Sequence, residues 1–332
     1  MKSFVLTDTQ KLFQDAYNGI SKDAKFSKDD LQEAVRNAVR EACNGEWNYY
    51  SFMDNRYKVF AIIAQNFPVA MNASLAGRFG GFAEFKDTSM GDLNYFDVED
   101  NTIYPIYTAA RGNGDVERQK IIDRNFSVPT QMKIIKMYDE LDRFMAGKID
   151  FARMTDKATV GYENHVGLLI SDAIYNSYSA VGTPFKTTGA FAASSMQEII
   201  ENVKAATSAE RLQIWGSITA LANVADGAGY SDRAKDGFNS VGYYDTFRGT
   251  DLYALPQAYL PGTQTFAVNR TYLIVLPANE KIVKVVFEGE ALVNMTDGMN
   301  RNDLQPEILY GRRVGAAAIT VAEGKYGIYK FE

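Results

Sequence analysis

The sequence predicts an α+β fold, in which strands and helices are largely segregated along the chain. Three observations lead to this fold class. A long helical pattern covers residues 150–179, short strand and helix patterns follow residue 190, and a charged stretch punctuated by glycines covers residues 77–124. A chain of 332 residues is long enough for one large domain or two modest ones.

The composition is that of a folded protein without metal or disulfide chemistry. Apolar residues make up 46% and charged residues 23% of the chain, so compositional disorder is not expected. The net charge of −6 argues against a basic face that grips nucleic acid, but it is compatible with a container for nucleic acid. One cysteine, Cys43, and one histidine, His165, cannot supply a disulfide framework or a Cys/His zinc cluster.

Residues 1–76 contain a helical pattern but no targeting signal. The chain has no signal-peptide core at its start and no apolar run of the ~20 residues that span a bilayer. We therefore expect a protein of a reducing cytoplasm without a membrane segment. Apolar spacing predicts a helix over residues 27–43, capped by Ser27 and ended by Asn44-Gly45. This pattern fits either a core helix or an arm lying on a neighbouring chain.

Residues 77–124 predict an extended, two-stranded excursion from the body of the protein. Glycines punctuate the stretch, acidic and basic side chains are interspersed along it, and its apolar periodicity is weak. Residues 103–108 (IYPIYT) favour a strand, which Pro105 restricts to an edge or a bulge. Because so long an excursion has little stability alone, we expect it to rest on a partner subunit.

A strand and a long helix follow the excursion. The strand is predicted over residues 126–138 with an interruption at Pro129. The helix of residues 150–179 would be about 45 Å long. His165 lies at the edge of its apolar stripe, so we interpret it as a packed or partly exposed structural histidine. The stripe comprises Phe151, Met154, Ala158, Tyr162, Val166, Leu169, Ile170, Ala173, Ile174 and Ser177.

The remainder of the chain predicts a compact α/β region and closing strands. We expect helices over residues 194–207 (capped by Ser194 or Ser195), 217–225 and 230–241. We expect strands over residues 212–215, 251–255, 307–310, 316–321 and 327–331, and a paired set over 272–276 and 282–287.

No catalytic, cofactor-binding or metal-binding set emerges from the sequence. A phosphate-binding loop needs G-x-x-x-x-G-K-[ST] and a nucleophile elbow needs G-x-S-x-G, and the chain contains neither. The acidic segment 297–303 lacks the ligand spacing of a calcium loop. Arg312-Arg313 is interpreted as a surface ion-pairing site.

The order of these elements resembles the Hong Kong 97 fold of tailed-phage major capsid proteins over residues 77–332. Local stretches resemble that family too. Arg111-Gly-Asn-Gly with Arg118-Gln119 resembles its extended-loop tip, Gly147-Lys-Ile-Asp150 the start of its spine helix, residues 238–259 its axial segment, and Gly311–Val314 and Gly324–Gly327 its closing strands. No lysine and asparagine align with the crosslinking pair of some relatives.

The resemblance implies a division of the chain into the parts of that capsid fold. The parts are an N-terminal arm (1–76), an extended loop (77–125), a peripheral domain (126–189) with the spine helix at about 150–179, a mainly axial domain (190–305), and C-terminal strands (306–332) that return to the core. Because the N-terminal region is shorter than the cleaved scaffolding region of some relatives, a separate scaffolding protein is implied.

The resemblance also implies a function. The chain would be the major capsid protein of a virion, assembled in the host cytoplasm into hexamers and pentamers of an icosahedral shell. That shell would enclose double-stranded DNA without sequence-specific binding, with scaffolding, portal and, as an option, decoration proteins as partners. Arg111, Arg118 and Arg124 are candidate contacts to acidic neighbours, which fix register more than they add affinity. Two alternatives stay open: an encapsulin-like compartment loaded with an enzyme cargo, and an enzyme of another kind.

Overall fold

The computed structural model describes much of the chain from residue 75 onward and parts of residues 33–61. The described ranges are 75, 77–98, 104–108, 118, 124–138, 151–224, 238–260, 262–278, 280–296, 307–320 and 324–332. The helices are α1 (Phe151–Ser177), α2 (Ala193–Thr207) and α3 (Ile218–Ala222). The strands are β1 (Ala83–Thr88), β2 (Tyr95–Val98), β3 (Arg124–Ser127), β4 (Gln131–Tyr138), β5 (Lys186–Thr188), β6 (Leu212–Gly216), β7 (Thr246–Phe247), β8 (Thr250–Ala254), β9 (Tyr272–Pro277), β10 (Val283–Thr296), β11 (Glu307–Ala318) and β12 (Gly327–Lys330).

The strands form two main sheets and a short ribbon. The four-stranded sheet has the order β1-β10-β11-β4. Among its described strands, β1 and β10 pair in parallel, and the other two pairs are antiparallel. The six-stranded sheet has the order β5-β12-β9-β6-β8-β7. The ribbon is the antiparallel pair β2-β3, and it joins the four-stranded sheet through residues 89–94 and 128–130.

Helix α1 confirms the longest sequence pattern. It packs along the four-stranded sheet against β10 and β11. Six described residues of the predicted stripe are buried, and Leu169 and Ala173 are partly buried. The buried residues are Ala158, Tyr162, Val166, Ile170, Ile174 and Ser177. Side chains three and four residues apart lie on one helix face, so this spacing gives α1 a continuous contact with the sheet. The Tyr162 hydroxyl extends the contact by donating to the Arg312 carbonyl at 2.8 Å.

Strand β9 lies between two hydrophobic cores. Tyr272, Ile274 and Leu276 point into the core that α1 shares with the four-stranded sheet. Leu273 and Val275 point into the second core, beneath α2. Side chains alternate across a strand, so a strand whose six residues are all buried must be covered on both faces.

The predicted cap of α2 is wrong. The helix begins at Ala193, so its N-cap is Ala192, which makes no side-chain cap hydrogen bond. The backbone amide of Ala192 instead donates to the Tyr329 hydroxyl at 2.9 Å. Tyr329 of the six-stranded sheet thus binds the amide of the N-cap residue, and no side chain at the N-cap accepts from the first turn of α2.

Two strand predictions are also wrong. The runs 272–276 and 282–287 do not pair, because β9 joins β6 and β12 whereas β10 joins β1 and β11. The final strands 307–310 and 316–321 are one continuous strand, β11, which ends at Ala318. Gly315 of this strand permits the close approach of the chain at Pro129, since an added Cβ would lie 2.1 Å from the Pro129 carbonyl oxygen.

Other predictions are confirmed where the chain is described. The strand break at Pro129 separates β3 from β4, and β6 and β8 lie within one residue of their predicted bounds. Ser217 caps α3 by accepting from the Ala220 amide at 3.2 Å. Residues 104–108 carry no regular strand, contrary to the prediction for 103–108. Pro105 has no amide hydrogen with which to join a ladder, which accounts for that difference.

The N-terminal helix ends as predicted. Asn44 and Gly45 have positive φ angles of 60° and 81°, and the Gly45 amide donates to the Arg40 carbonyl at 2.9 Å. This left-handed ending is the usual glycine stop of a helix. The acidic segment 297–303 lies outside the described residues, as do residues 27–32 of the predicted helix.

Candidate interaction surfaces

The face of the four-stranded sheet opposite α1, here the outer face, is covered by the ribbon at one end. Phe96 and Val128 pack on Val286 of β10, and Val98 packs on Ile319 just after β11. The Lys86 and Lys284 ammonium groups lie 5.0 and 5.4 Å from the centre of the Phe96 ring. Apolar packing therefore holds the base of the ribbon on the sheet.

At the other end of the outer face, the described residues leave apolar side chains exposed. Leu292, Gly311 and Ile134 form one cross-strand row over β10, β11 and β4. Four exposed side chains at this end are called the bare patch: Met132 (37% exposed), Ile134 (55%), Tyr138 (68%) and Leu292 (50%). A contiguous exposed apolar surface on a soluble protein marks a contact with another molecule.

A second exposed apolar set lies on the excursion. Within residues 104–108, Ile106 is 98% exposed, and Tyr104 and Tyr107 are each 45% exposed. Aromatic side chains supply large contact areas at interfaces with little loss of side-chain entropy. The excursion thus presents an apolar surface away from the core of its own subunit.

A groove of about 570 Å³ separates β4 from α1. The groove is lined by Lys133, Ile134, Ile135, Met137, Tyr138, Lys157, Ala158, Gly161, Tyr162 and His165. Burial, assisted by the charge of Lys133 and opposed by Asp172, holds the pKa of His165 below its usual value. His165 is partly buried on α1, at the edge of the buried stripe.

The part of the chain around the six-stranded sheet also has exposed apolar side chains, on β8, on α3 and in the segments beside them. Ile218, Val241, Tyr253 and Tyr259 are 50%, 48%, 39% and 56% exposed. The Tyr253 ring stacks on Trp215 at a centroid distance of 4.9 Å, so it is held in place on the surface. Both halves of the molecule therefore offer contact surfaces.

The three arginines predicted to contact neighbours are only partly within the described residues. Arg118 is exposed, and Arg124 is an exposed residue that begins β3 opposite Val98. Arg111 lies outside the described residues. Arg124 therefore lies at the end of the paired part of the ribbon that is farther along the chain from β1 and β4.

The interpretation of Arg312-Arg313 as a surface ion-pairing site is half correct. Arg313 is exposed, with its guanidinium 3.6 Å from the Glu288 carboxylate. Arg312 is buried, donates to Asp87 at 2.5 Å, and lies 4.8 Å from the centre of the Phe287 ring. Adjacent residues of a strand face opposite sides, so one arginine enters the core side and the other the outer face.

Sequence reasoning missed the buried acids Glu163 and Glu288. Glu163, on α1, is 1% exposed and lies 3.6 Å from the Arg78 guanidinium. The only indication of its burial in the sequence is its position next to Tyr162 of the predicted apolar stripe. Glu288 lies within β10, with strand residues before and after it. The surrounding sequence therefore gives no indication of its hydrogen-bond partners.

The described residues contain no candidate metal site and no candidate membrane span. Across the described ranges, His, Cys, Asp and Glu side chains nowhere form a group of three that could hold a metal ion. Of the helices in the described part of the chain, none has the length and hydropathy to cross a membrane.

Comparisons with known proteins give the chain a family and a fold. The matching family model carries the description "SPbeta prophage-derived putative capsid protein YonB" and aligns with residues 9–325. No curated protein matches the sequence.

Solved structures that resemble the chain include the mature capsid of bacteriophage PhiM1 and the capsid of a native GTA particle. The first has 11% identity and a TM-score of 0.50, covering 76% of this chain and 86% of the other. The second has 12% identity and a TM-score of 0.53, covering 77% and 90%. At such identities the likeness shows the fold alone, a mixed α/β fold of phage capsid structures.

Proposed function

The chain belongs to the capsid protein family of the SPbeta prophage protein YonB, and from this premise we propose how it builds a shell. It is a major capsid protein of the tailed-phage type, a structural protein and not an enzyme. The match over residues 9–325 is the observation that carries this conclusion. Copies of the chain assemble as hexamers and pentamers of an icosahedral shell that encloses double-stranded DNA. Assembly takes place in the host cytoplasm, with scaffolding and portal proteins as partners.

The parts of the chain have separate roles in this proposal. Residues 1–76 are an N-terminal arm, and residues 126–189 are a peripheral domain built on α1. Residues 190–305 are mainly an axial domain, centred on the six-stranded sheet, α2 and α3. The C-terminal strands return to the core, which is supported by β11 lying beside β10 and β12 beside β9.

The extended loop of residues 77–125 carries contacts between subunits. Its first strand, β1, pairs with β10, so we place the departure of the loop from the body after Thr88. The loop of one copy lies across a neighbouring copy, where residues 104–108 meet an apolar surface such as the bare patch. The exposure of both surfaces in the single chain supports this contact. Arg111, Arg118 and Arg124 meet acidic side chains of the neighbour and fix the register.

Electron microscopy and sedimentation of the purified protein test the assembly. Closed shells of uniform size are the expected result, and a monodisperse monomer under all assembly conditions would contradict the proposal. The contents of shells isolated from cells distinguish a virion from a cargo compartment, since DNA is expected and an enzyme cargo is not.

Substitutions in the bare patch test the contact. Ile134→Ser should leave the folded monomer intact and reduce the yield of closed shells at least tenfold, because about half of this side chain is exposed before assembly. Lys133→Ser is the matched control, because adjacent residues of a strand point to opposite faces and Lys133 therefore leaves β4 on the side away from the bare patch. Equal yields for both variants would exclude the bare patch as a contact.

Charge reversal tests the arginines separately. Arg118→Glu and Arg124→Glu should slow assembly most strongly at low salt, since interactions of exposed charges are screened by ions. Assembly rates that do not change with either substitution would remove these residues from the interface.

A further inference from the structure

Glu288 lies at an irregular point of the central strand β10. The β10-β11 register shifts between Glu288 and Leu292, and Gly289 has a left-handed φ of 73°. The Glu288 side chain faces the outer face, and the residue is 6% exposed. A carboxylate buried to this extent needs hydrogen-bond donors, because an unsatisfied buried charge strongly destabilises a fold.

The donors come from both legs of the extended loop. The Gly91 amide, in the segment between β1 and β2, donates to Glu288 Oε1 at 3.0 Å. The Thr130 hydroxyl, in the segment between β3 and β4, donates to Oε2. The Arg313 guanidinium lies 3.6 Å from Oε1. One carboxylate therefore joins the outgoing leg, the returning leg and the sheet.

Neighbouring contacts surround the same point. The Thr88 hydroxyl donates to Asn94 Oδ1 at 2.8 Å, which closes the outgoing turn. The Thr130 hydrogen bond, the Gly91 amide and the Arg313 charge hold the pKa of Glu288 below its ordinary value. Hydrogen bonds to an ionised acceptor are stronger than neutral ones, so this junction resists distortion more than the turns alone would.

We propose that Glu288 is a positioning residue for shell assembly, which fixes the direction in which the extended loop leaves its own subunit. This inference rests on the proposed function of that loop. Beyond the ribbon, 25 residues connect β2 to β3, and about twelve residues of extended chain span about 40 Å. An angular deviation of about 10° at the base would displace a point at that distance by about 7 Å. That displacement exceeds the tolerance of a specific contact on a neighbour.

The test is hydrogen–deuterium exchange on the unassembled subunit, combined with shell yield. Glu288→Gln keeps the shape of the side chain but removes its charge, so amides in residues 89–98 and 124–130 should exchange about tenfold faster. Amides of β6 and β9 should not change. Glu290→Gln is the matched control, because Glu290 is exposed two residues further along the same bulge.

Thr130→Val provides a second variant that keeps the charge and the side-chain shape while removing one donor. The same amides should exchange about threefold faster, and both variants should give fewer closed shells than Glu290→Gln. Unchanged exchange in both variants would refute the junction, and faster exchange with normal shell yield would refute its role in assembly. Failure of the wild-type protein to form shells would instead refute the proposed function, because the exchange measurement does not depend on assembly.

Discussion

The two main sheets of this molecule differ in how completely the subunit covers them. The central strand of the six-stranded sheet, β9, is buried on both faces, by the α1 core and by the α2 core. The four-stranded sheet packs on α1 with the inner face of β10 and β11, whereas the ribbon covers only one end of its outer face. The bare patch occupies the rest.

This difference separates folding from assembly. Apolar area buried within the subunit stabilises the subunit itself, whereas apolar area left exposed contributes only when another chain covers it. Burial of β9 on both faces therefore stabilises the fold, whereas the exposed end of the outer face of the four-stranded sheet is available for contacts between copies. Similar substitutions on the two sheets should therefore change the free energy of unfolding by very different amounts.

The largest effect is expected for Ile274→Ala in β9. Ile274 is completely buried in the α1 core, so truncation removes its transfer free energy and leaves a cavity. We expect a loss of about 3 kcal/mol in the free energy of unfolding, measured by urea denaturation of the monomer.

Ile134→Ala is the matched control for that measurement, since Ile134 is also a strand isoleucine but is 55% exposed. It should change the free energy of unfolding by less than about 0.5 kcal/mol. Equal losses for the two variants would mean that the subunit itself covers the bare patch, and the distinction between the sheets would fail.

The next effect is expected for Gly315→Ala in β11. An added Cβ would lie 2.1 Å from the Pro129 carbonyl oxygen, and a backbone atom cannot move aside as a flexible side chain can. We expect a loss of about 2 kcal/mol. Gly311→Ala, on the same strand at the bare end, should lose less, because its nearest neighbour is the flexible end of Met132 at 2.6 Å. A larger loss for Gly311→Ala than for Gly315→Ala would show that β11 is not packed more tightly at the end covered by the ribbon than at the end with the bare patch.

Local patterns predicted the parts of the fold that depend on local spacing. The stripe of α1 and the break at Pro129 were correct, because helical periodicity and the missing amide of proline act within a few residues. The pairing of β9 with β10 was predicted wrongly, because two apolar runs joined by a short turn are typical of a hairpin and their true partners lie elsewhere in the chain. The choice of partner strand is a non-local property.

The partners of the buried charges lay beyond sequence reasoning for the same reason. Glu288 meets Gly91 and Thr130 across 197 and 158 residues, and Arg312 meets Asp87 across 225. No spacing rule connects residues so far apart. The three predicted contact arginines were chosen by charge and by resemblance, and they remain a proposal.

A smaller effect of opposite sign is expected for Gly161→Ala in α1. Gly161 lines the groove beside β4, and an added Cβ would meet nothing within 4 Å. Alanine in a helix interior is more favourable than glycine, so we expect a gain of about 0.5–1 kcal/mol in thermal or urea unfolding. Gly167→Ala is the control on the packed side, where the Phe79 ring lies 3.1 Å from the added atom and should cancel the gain. A similar gain in both variants would mean that α1 is no more tightly packed on its core side than along the groove.

The smallest effect is expected from the titration of His165, which borders the same groove. Burial and Lys133 lower its pKa while Asp172 opposes them, so the folded state favours the neutral imidazole. The folded state then binds fewer protons than the unfolded state between the lowered pKa and the ordinary value of 6.5. Stability should fall slightly as the pH drops through that window and change no further, from this group, below it.

His165→Gln isolates this contribution, because the chain has a single histidine and both proteins share the same carboxylates. Urea unfolding between pH 7.5 and pH 5.5 should show a smaller loss of stability for the variant than for the wild type. Asp172 lies close to His165 and its pKa is raised by burial, so Asp172→Asn tests whether that carboxylate contributes to the same slope. Parallel slopes for the wild type and His165→Gln would show that solvent in the groove hydrates the imidazolium.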